Sequence, residues 1–231
     1  MGTFNNVSRE ANKRLHPSLT NPNWLVLRER REIFRKWLDG IVGENFSVLD
    51  VGGRIQPYRP LLSERTARYW AIDVREGPQV NVLARGEAIP FRTGHFDIVF
   101  CTQVIEYVTE PSTLISELHR VLKPGGYMFL SAPAIFPRDS DHDLWRFMPQ
   151  GLRLLLRGFE EVQVIPEGSS LIGFFRTIAV YTAMFASPAL LRKLLQVTLV
   201  PSLNIAGLIV ESIVSTKNDQ FSPNFSALAR K

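Results

Sequence analysis

At 231 residues, 45% hydrophobic and 21% charged, the chain has room for one α/β domain with a sizeable core plus terminal additions, and it is not of disordered composition. The single cysteine, Cys101, excludes an internal disulfide, points to a reducing compartment, and belongs to no zinc-ligand spacing. The net charge of +5 is uneven, with residues 1–40 carrying eight Lys/Arg against four Asp/Glu, residues 171–231 six against two, and the slightly acidic middle thirteen against sixteen, a distribution that argues against a nucleic-acid partner.

The N-terminal Met1-Gly2-Thr3-Phe4-Asn5-Asn6 has neither the apolar core of a secretory signal nor the Ser or Thr at position 6 of a myristoylation site, so the expectation is a cytoplasmic protein. From Trp24 to Val42, Leu27, Phe34, Trp37, Leu38 and Ile41 recur at helical spacing, which predicts an amphipathic helix capped by Asn23 or a residue nearby. Short apolar runs predict strands at about 47–51, 69–73, 80–83, 96–101 and 126–132. Between the last two, Leu114, Ile115, Leu118, Val121 and Leu122 form the buried stripe of a helix capped by Ser112 or a neighbour and stopped at Pro124-Gly125. Strand and helix in alternation predict an α/β fold, a doubly wound and mostly parallel sheet with an N-terminal helix before it. In such a sheet, ligands bind at the C-terminal ends of the strands.

The residues at those ends carry the chemistry. Ser47-Val48-Leu49-Asp50-Val51-Gly52-Gly53 is a buried strand ending in a carboxylate and two glycines, whose bare backbone can approach a small ligand. Tyr69-Trp70-Ala71-Ile72-Asp73 ends in a second acid twenty-three residues later, where an α/β sheet grips a ribose diol. With Phe96-Asp97-Ile98-Val99-Phe100 and Leu122-Lys123-Pro124-Gly125-Gly126, these motifs resemble the class I S-adenosylmethionine-dependent methyltransferases, Rossmann-like enzymes of the small bacterial methyltransferase-11 type, over roughly residues 48–168.

The resemblance implies S-adenosylmethionine as cofactor, held by Asp50, Gly52, Gly53, Asp73, Val74, Gly86, Glu87, Thr102 and Gln103. Arg54 and Gln56 stand where the family alternates glycines, and Arg85 replaces an acid that contacts adenine; Tyr107 replaces a common histidine. Because of the first three, a non-catalytic protein that keeps the fold as a binding module stays open beside the enzyme.

Ala132 to Pro149 forms a long polar insertion where a substrate lid belongs, and its Trp145-Arg146-Phe147 resembles an element of methyltransferases that accompany polysaccharide and glycolipid assembly. His142 is the expected base toward a sugar or lipid-linked saccharide hydroxyl, with Asp143 and Arg146 as its catalytic companions. For each of the three, a structural role in the loop stays open. The Asp/His cluster offers no fixed metal-ligand set, so no metal is expected.

The resulting organisation is an N-terminal helical flank (1–43), a cofactor domain (44–170), an apolar helical extension (171–214) and a flexible tail from 215. The extension is uncharged from Thr177 to Leu191 and from Leu194 to Val210, but Pro201 interrupts the second run, so spanning a bilayer is not expected. Two readings follow: a cleft cover or homodimer interface, and a peripheral membrane contact in which Arg176, Arg192 and Lys193 face headgroups while Phe174, Phe175, Leu190, Leu191, Leu194 and Leu195 enter the acyl boundary.

Overall fold

The structure is a computed structural model that describes residues 2–138, 140–185, 188–214 and 218–231. Two helices, α1 (Gly2–Leu15) and α2 (Trp24–Gly40), precede the sheet strands β1 (Phe46–Val51), β2 (Thr66–Asp73), β3 (Val82–Leu83) and β4 (Phe96–Thr102). Then come α3 (Pro111–Val121), β5 (Leu122–Pro133), α4 (Pro149–Leu155), β6 (Glu161–Pro166), α5 (Ser170–Phe185), α6 (Ala189–Val197), α7 (Leu199–Val214) and β7 (Asn224–Arg230). The sheet order is β3-β2-β1-β4-β5-β7-β6, parallel except for β7, which runs antiparallel to both its neighbours. The predicted doubly wound sheet is present, and its strand order reverses between β1 and β4.

Consecutive residues of a strand face opposite sides, so the apolar runs of the central strands supply two cores at once. Val48, Ile98, Phe100 and Phe129 pack with Phe34 and Leu38 of α2 and with Tyr58. Leu49, Val99 and Leu130 pack with Leu114, Leu118 and Val121 of α3 and Leu152 of α4. The first core is aromatic, with Phe34 centred 4.8 Å from Tyr58 and 5.4 Å from Phe129. Cys101 is fully buried in the second, a structural thiol pushed well up by burial.

Several expectations need correction. The loose tail from 215 does not hold over 224–230, because β7 pairs with β5 from Tyr127↔Arg230 to Pro133↔Asn224 and with β6 on its other side. Residues 215–217 lie outside the described residues. The cofactor domain is therefore not confined to 44–170. Asn23 stands at the N-cap position of α2 but makes no side-chain capping bond; its Oδ1 accepts from Arg176, and the turn before the helix is closed by Asn21 Oδ1, which accepts from the Asn23 N–H. Ser112 lies inside α3, which starts at Pro111, where a missing N–H is harmless.

Pro201 falls in the first turn of α7, just after the break at Thr198 that separates α7 from α6. Residues 189–214, α6 and α7 taken together, reach the length and mean hydropathy, 1.8, of a helix able to cross a membrane, by length and composition alone. One face of α7 is nevertheless committed to protein. Val200 and Asn204 are fully buried, Asn204 donates to the Leu19 and Asn21 carbonyls, and Gly207 lies against Leu25 and Phe175.

Candidate functional site

A cavity of about 1100 Å³ opens at the C-terminal ends of β1, β2 and β4 and extends beneath α5. That is the upper end of the size range for small-molecule sites, room for more than one ligand. Of the residues singled out in the sequence, Gly52, Asp73, Val74, Gly86, Glu87, Thr102, Gln103, His142 and Asp143 line it. Asp50, Gly53 and Arg146 do not.

The turn after β1 explains both outcomes. Gly52 has φ +75°, and a Cβ there would overlap Val104; a Cβ on Gly53 would sit 2.7 Å from the Asp50 carbonyl oxygen and 2.9 Å from the Ala71 Cβ. The glycines are thus required for the turn itself. Both of their N–H groups donate to the Ile72 carbonyl, at 2.8 and 3.1 Å, so neither is spare for an anionic ligand group. Asp50 is buried behind the turn, where its carboxyl accepts from the Tyr69 hydroxyl at 2.8 Å. Burial pushes its pKa up to about 7, the Tyr69 bond opposes the rise and nearby Asp73 adds to it.

Gln56 keeps the left-handed backbone of a glycine, with φ +52°, and its side chain turns away from the cavity to donate to the Gln79 carbonyl and accept from Arg59. Arg54, by contrast, does line the cavity. A cation therefore stands where the glycine pattern would leave bare backbone. Asp73, at the end of β2, is partly exposed at the cavity edge, with Oδ1 accepting from the Arg75 N–H. Beyond β3, Arg85, largely exposed at the cavity edge, pairs at 3.6 Å with Glu87, whose mostly buried carboxylate lines the wall. The acid missing at 85 is thus present two residues on. Gln103 has φ +56°, and its amide lies 3.2 Å from the Ser131 hydroxyl and 3.1 Å from the Asn224 amide.

The polar insertion is fastened rather than loose. Every N–H of the Arg146 guanidinium is engaged: Nε with the Phe136 carbonyl, Nη1 with Asp143 and the Trp145 carbonyl, Nη2 with Asp143 and the Pro137 carbonyl. No donor is left for a substrate. Asp143 is the other half of that bidentate pair. The Trp145 indole donates to the Val108 carbonyl, and Phe147 is buried. His142 remains exposed on the rim.

Two further lining residues were not placed at the site from the sequence. Glu106 is 3% exposed, and its Oε2 has no hydrogen-bond partner among the described residues. Burial raises its pKa to about 8, with Arg30 and Arg146 pulling down and Asp143 pushing up. Arg176 is 2% exposed, which removes it from any headgroup layer; its Nε and Nη2 donate to Asn23 Oδ1 and its guanidinium stacks 4.0 Å over the Phe136 ring. Neighbouring Arg30 is differently placed, because Glu167 pairs with it at 2.8 Å while also accepting from Ser131 and Ser226 at 2.6 Å. Among the described residues no group of His, Cys, Asp and Glu could hold a metal ion.

Residues 49–130 match the family model described as a methyltransferase domain. The ubiquinone biosynthesis O-methyltransferase of Pseudomonas paraeruginosa is 33% identical over 113 residues, 41% of this chain and 48% of that one. The protein of the same name from Dechloromonas aromatica is 31% identical over 111 residues, with the same coverage. This chain thus spans about half the length of the curated relatives it matches. The fold is shared with a Burkholderia thailandensis 1,6-didemethyltoxoflavin-N1-methyltransferase solved with S-adenosylhomocysteine (14% identity, TM-score 0.54, 100% of this chain and 86% of that one). It is shared equally with the [4+2]-cyclase SpnF (16% identity, TM-score 0.54, 87% of this chain and 80% of that one). Residues 49–130, which run from within β1 through most of β5, thus resemble a methyltransferase domain, and the rest of the chain is added to the sheet they begin.

Proposed function

We infer that the protein transfers a methyl group from S-adenosylmethionine to a hydroxyl of a small-molecule acceptor on the cytoplasmic side. The observation that carries this reading is the cavity at the sheet's reversal point, lined by Asp73, Glu87, Thr102 and Gln103 on the β1–β4 side and by Glu106 and His142 beyond it. The residues present fit the cofactor. Asp73 suits a ribose diol, Val74 an adenine face and Glu87 the adenine amino group, while Arg54 suits the carboxylate of the methionine end. Asp50 serves indirectly, as a buried prop of the glycine turn.

The sulfonium brings its own leaving group, so the protein's task is to hold the acceptor in line and exclude water. Exposed His142 can take the acceptor's proton, whereas buried Glu106, which keeps its own to about pH 8, can do so only once ionised. Arg146 and Asp143 act on the reaction by fixing the loop that carries His142. A hydroxyl acceptor is favoured by the relatives' name, O-methyltransferase. The saccharide, by contrast, rested on Trp145-Arg146-Phe147, whose side chains are spent on holding the loop.

The exposed apolar stripes of α5–α7 favour contact with an anionic membrane surface as the setting of the reaction. Leu190, Leu194 and Val197 of α6 and Ile205, Ile209 and Ile213 of α7 are all at least 45% exposed, with Arg192 and Lys193 among them.

Calorimetry with S-adenosylhomocysteine tests the core of the reading. The protein should bind it, and Asp73→Ala should weaken binding by about 1.5–3 kcal/mol, the loss of a charge-assisted hydrogen bond. A folded protein with no affinity for it would overturn the assignment. Binding without methyl transfer to any hydroxyl acceptor would leave the fold as a binding module.

A further inference from the structure

Arg176 is a buried cation without a carboxylate of its own. Its hydrogen-bond partners are the Asn23 side-chain oxygen, at 2.9 and 2.7 Å, and the Ile135 carbonyl at 3.4 Å, and no ion pair to it exists among the described residues. Glu167, whose negative charge acts on it, is already engaged by Arg30, Ser131 and Ser226. Burial first and the second guanidinium, Arg30, next lower the Arg176 pKa to about 9, with Glu167 opposing them. A desolvated charge of this kind is expensive unless something pairs with it. Neither neutral oxygen does so. The side chain nevertheless lines the cavity, with Phe136 backing one face.

None of Arg176, Asn23, Phe136 and Asn224 lies in the segment 49–130 that matches the methyltransferase domain. Arg176 of α5 meets Asn23, just before α2, and Phe136 of the polar insertion, and Asn224 at the start of β7 lines the same cavity. This part of the wall is therefore free to serve the acceptor. We propose that the acceptor is an anion, bearing a carboxylate or phosphate group, and that this group pairs with Arg176 while Asn23 holds the guanidinium in place. The inference rests on the reading that the loops after β1 to β4 take the cofactor. It assigns to α5 a share in choosing the acceptor.

Asn23→Asp supplies Arg176 with an internal carboxylate at the same position and nearly the same volume. Arg176→Gln removes the charge altogether. Wild type and both variants would be titrated calorimetrically with benzoate, with inorganic phosphate and with neutral benzamide, each with and without saturating S-adenosylhomocysteine.

Wild type should bind benzoate or phosphate at least tenfold more tightly than benzamide, and whichever anion binds names the group. Both variants should lose about tenfold or more of that affinity, as expected for a charge-assisted pair. S-adenosylhomocysteine binding should stay unchanged, and Asn23→Asp should melt no lower than wild type. Equal affinity for anion and neutral probe, or anion binding retained by Asn23→Asp, would overturn the proposal, even if Arg176→Gln failed to fold. Absence of S-adenosylhomocysteine binding would instead sink the cofactor reading, and the titrations without it would still decide the anion.

Discussion

At the scale of single residues, Glu106 gives the clearest handle. Its carboxyl keeps its proton to about pH 8 in the folded chain, against an ordinary value of 4.5, chiefly because it is buried. Between those two values the unfolded chain has lost the proton and the folded chain has not. Stability from this group is therefore complete below about 4.5 and declines as pH rises toward 8. Asp50, raised from 3.8 to about 7, declines in the same direction, so the comparison must be a difference. The melting temperature of Glu106→Gln minus that of wild type should climb through this window, equivalent to roughly 2–4 kcal/mol. A flat difference would show a carboxylate that is ionised throughout. Glu106 was invisible in the sequence because nothing local distinguishes a carboxylate whose burial depends on the insertion folding over it. The same holds for Arg176, Asn23 and Phe136, which meet only after three distant segments have been placed. The glycine turn and Asp73 were legible because their chemistry is local.

At the scale of elements, the strands that read clearly are the central parallel ones, whose continuous apolar runs serve two cores at once. β6 and β7 escaped because they are written differently. β6 lies at the sheet edge with alternating exposure, and β7, Asn-Phe-Ser-Ala-Leu-Ala-Arg, is made of small and polar residues that look solvent-exposed yet are buried. Ser226 and Asn224 tolerate that burial because Ser226 donates to Glu167 and Asn224 pairs with Gln103. The stretch that leads into β7 is also what α5 rests on. A Cβ on Gly173 would land on the Phe221 carbonyl oxygen, and Ser170 bonds Asn218 and the Phe221 N–H. Gly173→Ala, normally favourable within a helix, should here destabilise by about 1–3 kcal/mol, measured by urea unfolding. An unchanged or raised midpoint would mean that α5 sits on that segment only loosely.

At the scale of the whole molecule, burial is lopsided. The sheet and its two cores are as dry as those of any globular enzyme, whereas α5–α7 leave Phe174, Tyr181, Leu190, Leu194, Ile209 and Ile213 outward. Arg176, buried in the same helices, already shows that the extension serves the cavity on one side. Its other side should carry the protein into the floating fraction with anionic vesicles at low salt. Added salt or Leu190→Ser with Leu194→Ser should return it to the bottom fraction, leaving S-adenosylhomocysteine affinity unaltered. A protein that never floats would leave these stripes to a second protein surface.

The antiparallel strand β7 carries one more consequence, for the order in which the chain can be built. β7 separates β5 from β6, although more than fifty residues of chain, α5–α7 among them, lie between β6 and β7. As the protein emerges from the ribosome, β5 presents an unpaired edge and β6 has no neighbour until residues 224–230 follow. The most apolar helices are released during that interval. Two of the seven strands, β6 and β7, must therefore join the sheet only once residues 224–230 are available, through contacts of long sequence separation, which are slow to form and prone to capture by other chains.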